Sequence, residues 1–452
     1  MTDKNFDVDR SSPKRRKVGE CDFPVCAKGF QQDEWVVKLR VAAKCMLESH
    51  LPLETDKCHT LLGAGQNAAV FSYRISNDVS IAYKKTKIAD KEARERKVRL
   101  ETAIEGRVMS FLTQTFIQPL IANDGEVFPL GLGCPNLVGV LRHDFGRNVV
   151  RFATNEADYR EKDITASSLW LELCDRETFS DYYHGDVTVG EIVRLPLAVS
   201  VILQMVMAIL ACGGVGVFHN DMRMSNWLMR SRSTPVRGLL YCIPATEQGA
   251  ADVYVRLPGA PCIPLVAVSD FGLASVDGWI NDPRIEDWQT CPESVALMCN
   301  YYDAKERNTT ELPRLSLTST GDSLGHFRPL SFGKLQRYQR DMATVFTYFE
   351  AIRAEQSGHQ ALGEFQRLAS KAIDILTEIR PASYADQRRV ALKMFATMPE
   401  FAACVVAKPA ADSTEPVYRL PGDVECAMLS KDLFDRVSTN VKNRNEYKLK
   451  YF

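Results

Sequence analysis

The spacing of apolar residues changes period along the chain, and each change predicts a different element. Val79, Ile81 and Tyr83 alternate with Ser80, Ala82 and Lys84, the two-residue period of a strand with unlike faces. Residues 35–57 look helical. From about Asp90 to Phe116, Leu100, Ile104, Val108, Phe111 and Leu112 recur at helical steps of three and four. The segment Arg142–Ser168 is charged and loop-like, and Leu169-Trp170-Leu171 after it reads as a strand. Beyond residue 174 helical spacing dominates. There Leu195–Phe218 runs 24 residues without a charge, long enough to cross a bilayer. It holds Pro196, Ser200 and Gln204, contains the breaker pair Gly213-Gly214, and has no Lys/Arg cluster beside it. It is expected to be a core helix, apolar all round because it is buried all round, with no membrane involved.

Residues 1–34 carry no period and read as a polar tail. Within it Pro13-Lys14-Arg15-Arg16-Lys17-Val18 resembles a nuclear localisation signal, which implies a nuclear import receptor as partner and a nuclear or cytoplasmic location. Composition adds exclusions. Lys+Arg is 56 against Asp+Glu 57, so no basic excess points to direct nucleic-acid binding. Hydrophobic residues at 45% supply a sizeable core, which argues against a disordered chain. Thirteen scattered cysteines read as free thiols in a reducing compartment rather than a disulfide framework. Cys21 with Cys26, and Cys58 with His59, lack the second pair that a zinc site needs.

Three segments carry candidate chemistry, and two of them are polar loops set between apolar runs. The first is the turn Leu62-Gly63-Ala64-Gly65, running on to Val70. Glycines there let backbone N–H groups approach phosphate, although a plain hairpin has the same composition. Fourteen residues after Val70 comes Lys84, with the small Ala82 on the same strand face, a pairing that suits an adenine slot beside an ammonium. Glu101 and Glu105 share one face of the next helix, and either could hold Lys84. Glu105 is favoured because Val108, Met109 and Leu112 supply the stripe that docks the helix. The second feature is His219-Asn220-Asp221-Met222-Arg223-Met224-Ser225-Asn226, squeezed between apolar runs. The third is Ser269-Asp270-Phe271-Gly272, after the apolar Val266-Ala267-Val268. Two carboxylates and an amide at the ends of buried strands offer the oxygen ligands that Mg²⁺ takes with a nucleotide.

In this order the residues resemble the protein kinase superfamily, over about residues 57 to 360. Ile81-Ala82-Tyr83-Lys84 is similar to the VAIK strand, and Glu105 falls where the helix glutamate belongs. His219-Asn220-Asp221 with Asn226 matches the catalytic loop, and Asp270-Phe271-Gly272 matches the DFG triplet. The resemblance implies an α+β, bilobal protein-kinase-like fold. A β-rich N-lobe with one main helix spans 35–173 together with an N-terminal extension, and an α-helical C-lobe spans 174–452. It implies ATP bound by Leu62, Gly63, Ala64, Gly65, Val70, Ala82 and Lys84 and by a hinge at Leu171, Glu172 and Cys174, with Leu171 as gatekeeper. Asp221 would be the catalytic base, Arg223 a γ-phosphate contact, and Asn226 and Asp270 the Mg²⁺ ligands. Asp341 would brace the catalytic loop, and His219 would pack beneath it.

Departures from the pattern shape what the resemblance can carry. Asn220 stands in place of the usual arginine, which makes control by a phosphorylated activation loop a poor expectation. Arg223 replaces a lysine. Forty-three residues separate Asn226 from Asp270, so an insertion near 230–261 is expected as a surface excursion. A second insertion lies near 294–335, and mobile loops are expected at 142–168 and at both insertions. Cys291-Pro292-Glu293 alone resembles the triplet that ends an activation segment. The expected activity is transfer of the ATP γ-phosphoryl group to serine or threonine hydroxyls of a protein substrate. The competing readings are a pseudokinase-like scaffold and a small-molecule kinase of the choline or aminoglycoside type.

Overall fold

Six strands build the first sheet. β1 (His59–Ala64), β2 (Ala68–Arg74), β3 (Ser80–Thr86), β4 (Val140–Phe145), β5 (Ser167–Glu172) and β14 (Lys448–Lys450) lie in the order β1-β2-β3-β5-β4-β14, every neighbour antiparallel. The computed structural model describes residues 34–48, 59–64, 68–75, 79–86, 105–106, 108–122, 132–145, 167–174, 195–222, 224–231, 239–246, 249–257, 265–276, 338, 341–342, 345–346, 360–410, 413, 415–426 and 448–450. The basic run Pro13–Val18, Gly65, Glu101, Arg223, Cys291–Glu293 and the 294–335 insertion lie outside those residues.

β3 is buried on both faces, with Ile81, Tyr83 and Lys85 on one side and Ala82 on the other. Trp170 of β5 sits directly across from Tyr83, ring centroids 4.2 Å apart, and Tyr73 meets it edge-on at 5.6 Å. Two helices pack near this sheet. α1 (Glu34–Glu48) runs against β4 and against the end of α2, which is helical at 105–106 and 108–112. α2 then passes through a π-helical stretch, Thr113–Ile117, and ends as an α-helix, Gln118–Ala122. The ends of the expected 142–168 loop belong to this sheet, since Asp144 pairs with Ser168 and Phe145 with Ser167. Strand pairing satisfies backbone groups whatever the side chains, so local charge is a poor guide there.

The apolar run becomes α3 (Leu195–Gly214), and from Val199 to Cys212 no residue is more than 3% exposed. Its polar residue Gln204 is satisfied: Oε1 accepts from Val266 N and Asn136 Nδ2, both at 3.0 Å. At its end a Cβ on Gly214 would fall 2.2 Å from Pro421 Cγ, so only glycine permits that approach. Among the described residues no helix is long and apolar enough to cross a membrane. α3 packs on β10 (Leu265–Val268), α4 (Gln360–Ile379), α5 (Tyr384–Thr397) and α6 (Pro399–Ala402). α5 starts with Ser383 as N-cap, its hydroxyl accepting from Asp386 N.

One expectation for the second half needs correction: the described part of the 230–261 segment is not a surface excursion. β8 (Leu240–Ile243) is buried along its whole length and β9 (Val253–Arg256) in its middle. With β12 (Val405–Val406) and β13 (Val417–Arg419) they make a four-stranded sheet in the order β12-β9-β8-β13, in which β13 runs parallel to β8. The physical reason lies in Leu239-Leu240-Tyr241-Cys242-Ile243, a continuous apolar run that would be costly on a surface. Two short antiparallel ladders complete the α+β architecture: β6 (Val217–Phe218) with β11 (Ser275–Val276), and β7 (Trp227–Ser231) with β10.

Candidate active site

Lys84 projects from β3 between two carboxylates of distant origin. Its Nζ lies 2.6 Å from Glu105 Oε1 on α2 and 2.9 Å from Asp270 Oδ1 after β10. Glu105 is buried, while the Asp270 side chain is 44% exposed, so one partner is internal and the other opens to solvent. Burial works against the Lys84 charge, but the Asp270 and Glu105 carboxylates outweigh it and hold its pKa above the ordinary lysine range. The ammonium is thus both permanent and fixed in place.

The polar loop after β6 is anchored from below by one buried carboxylate. Asp341 Oδ2 accepts from His219 N and Oδ1 from Asn220 N, each at 2.7 Å. Asn220 occupies the left-handed region at φ 62°, where asparagine is among the better tolerated non-glycine residues. His219 is fully buried. Its Nδ1 accepts from Asp221 N at 3.1 Å, so Nε2 carries the proton donated to Ser269 O at 2.8 Å. Its ring packs 4.5 Å from that of Phe271. This histidine is a strut between two loops.

The β7–β10 ladder brings the remaining oxygen groups to one end. Trp227 opens β7 and pairs with Val268, which closes β10, so Asn226 and Asp270 emerge side by side. Ser269 ties them, its N–H donating to Asn226 O at 2.9 Å and its hydroxyl to the same oxygen at 3.2 Å. Asn226 Nδ2 donates to Asp221 O at 2.8 Å and to Asp221 Oδ2 at 3.2 Å. The Asn226 amide therefore turns its oxygen away from Asp221. Asp270 sits at φ 65°, ψ 61°, a second left-handed non-glycine residue in the same place. Such backbone conformations cluster where function requires them. Asn226 and Asp270 are hard oxygen donors of the kind Mg²⁺ takes. Among the described residues no group of three or more His, Cys, Asp or Glu side chains is arranged to hold a metal.

Above Lys84, Val70 pairs with it across β2–β3, and Ala82 pairs with Leu171 across β3–β5. Ala82, Leu171 and Cys174 are buried, Leu62 is half-buried, and Gly63 and Ala64 are exposed on β1. Glu172 is engaged elsewhere. Its N–H donates to Gly139 O at 3.0 Å, and its carboxylate accepts Gly139 N at 2.7 Å and the Arg230 guanidinium. Sequence reasoning missed Arg230, Trp35 and Asn136. The available signal for Arg230 was a lone cation ending the otherwise apolar Trp227-Leu228-Met229. The structure therefore joins Lys84, Glu105 and Asp270 in one cluster and Asp221, Asn226 and Asp341 in another, with Ser269 between them. No protein-family model matches the chain, and no curated protein matches it in sequence.

Proposed function

We propose that the chain has a bilobal, protein-kinase-like fold and transfers the γ-phosphoryl group of ATP to serine or threonine hydroxyls of protein substrates. The observation that carries this reading is Lys84 held between Glu105 and Asp270, beside the loop of Asp221 and Asn226. A cation fixed by a buried glutamate suits the α- and β-phosphates. Asn226 and Asp270 would hold Mg²⁺, which neutralises charge on the phosphates when bound. Two protein oxygens suffice for such an ion, because phosphate and water supply the rest.

Asp221 orients the substrate hydroxyl and accepts its proton as the oxygen bonds to the γ-phosphorus. The bond from that phosphorus to the β–γ bridging oxygen breaks, and ADP leaves with the electron pair. Asn226, bonded to Asp221, keeps that carboxylate aimed at one place. Purified protein incubated with ATP, Mg²⁺ and a basic protein substrate tests the reading, with phosphate followed by intact mass. Transfer is expected in the wild type and a loss of at least about a hundredfold in Asp221→Asn and in Asp270→Asn. Saturable ATP binding without transfer to any protein would favour the scaffold or a small-molecule acceptor instead.

A further inference from the structure

Arg230, the penultimate residue of β7, has 1% of its side chain exposed, yet every part of it is engaged. Nε donates to Glu172 Oε2 at 3.1 Å, Nη2 to Glu172 Oε1 and Leu137 O, and Nη1 to Pro135 O. Trp35 of α1 covers the guanidinium face, its ring centroid 4.1 Å from Cζ. Burying such an ion pair costs several kcal/mol of desolvation, and apolar residues of equal volume commonly do as well for stability. What the pair adds over an apolar contact is direction, since a bidentate fork admits one arrangement of its partners.

The partners it arranges come from both sides of the candidate site. Glu172 lies between Leu171 and Cys174, the segment assigned to the adenine edge. Arg230 stands on β7, four residues beyond Asn226, which immediately precedes that strand. Pro135 and Leu137 flank Asn136, whose carbonyl accepts from Val268 N at 2.9 Å, two residues before Asp270. On the kinase reading above, we propose that Arg230, Glu172 and Trp35 are positioning residues that hold the adenine-edge segment in register with Asn226 and Asp270. Helix α1 thereby belongs to the nucleotide site without touching the nucleotide.

The test is calorimetric titration of the full chain with Mg·ATP and, separately, with Mg·tripolyphosphate, which has the phosphates but no base. The main variant replaces the pair by apolar residues, Arg230→Met with Glu172→Leu; it leaves Gly139 N and the Pro135 and Leu137 carbonyls without these partners, so its thermal midpoint is expected to fall while the chain still folds. ATP affinity should fall about tenfold as preorganisation is lost, while tripolyphosphate affinity stays unchanged. Trp35→Leu and Glu172→Gln, each a smaller change, should move ATP affinity the same way and keep the test decisive if the double variant does not fold. Unchanged ATP affinity in folded variants would overturn the proposal and leave the kinase reading intact, as would equal weakening of both ligands. A wild-type chain that binds no ATP would instead remove the kinase reading, and this proposal with it.

Discussion

Lys84 and Lys85 are neighbours on β3 with opposite fates. Lys84 meets two carboxylates and stays charged, whereas burial pushes Lys85 down to about 8 from 10.5. The unfolded chain keeps the Lys85 proton up to pH 10.5 and the folded chain releases it near 8. In that window the unfolded state binds more protons, so this residue's contribution to stability rises with pH. Lys85→Met should therefore be more stable than wild type at pH 7, by about 2–3 kcal/mol. The gap should close as the pH approaches 10, as read from urea midpoints across that range. No gap at pH 7 would mean that the buried ammonium is fully compensated. Sequence separated the two lysines only by strand alternation. The Lys84 pairing depends on Glu105 and Asp270, 21 and 186 residues away, and the glutamate stood out only through the apolar stripe beside it.

At the scale of elements, α3 is the clearest case of an internal helix, and Gln204 is its bonded polar group. Gln204 supplies the acceptor for Val266 N and for Asn136 Nδ2, and Asn136 in turn accepts from the Tyr241 hydroxyl. Two amides thus join α3, β10 and β8. Gln204→Leu should cost about 1–3 kcal/mol, because it strands the buried Val266 N–H and removes one of the two acceptors of Asn136 Nδ2 while conserving volume. Thermal unfolding of the purified variant checks this, and a midpoint equal to wild type would show that the network rearranges freely. α3 was legible from sequence because an uncharged run of that length is a strong local signal. The β8–β13 sheet was not. Its strands are four residues and three, and no local pattern reports a partner so distant in the chain. The β7–β10 ladder was legible only through the two polar loops it ends in, since buried apolar strands are hard to tell from helix segments.

Across the whole molecule, buried acidic protons set a common limit at high pH. Burial raises the thiols of Cys134 and Cys426 to about 12 and those of Cys242 and Cys404 to about 11, with the Tyr254 phenol near 12. In the unfolded chain these groups ionise from about pH 9 upward. The folded chain then holds more protons, and stability falls steadily from about pH 9 to 12, outweighing the single opposite contribution of Lys85. Under reducing conditions the unfolding midpoint should drop steeply in that interval, and a flat profile would contradict the upward shift of these groups.

The parallel pairing of β8 with β13 also has a consequence for biosynthesis. Leu240 meets Val417, so the apolar β8 leaves the ribosome long before its final neighbour exists. Closing so large a loop is slow, and meanwhile an apolar strand edge stands open to wrong partners. From the synthesis of residue 240 until that of residue 419, β8 therefore lacks its β13 neighbour.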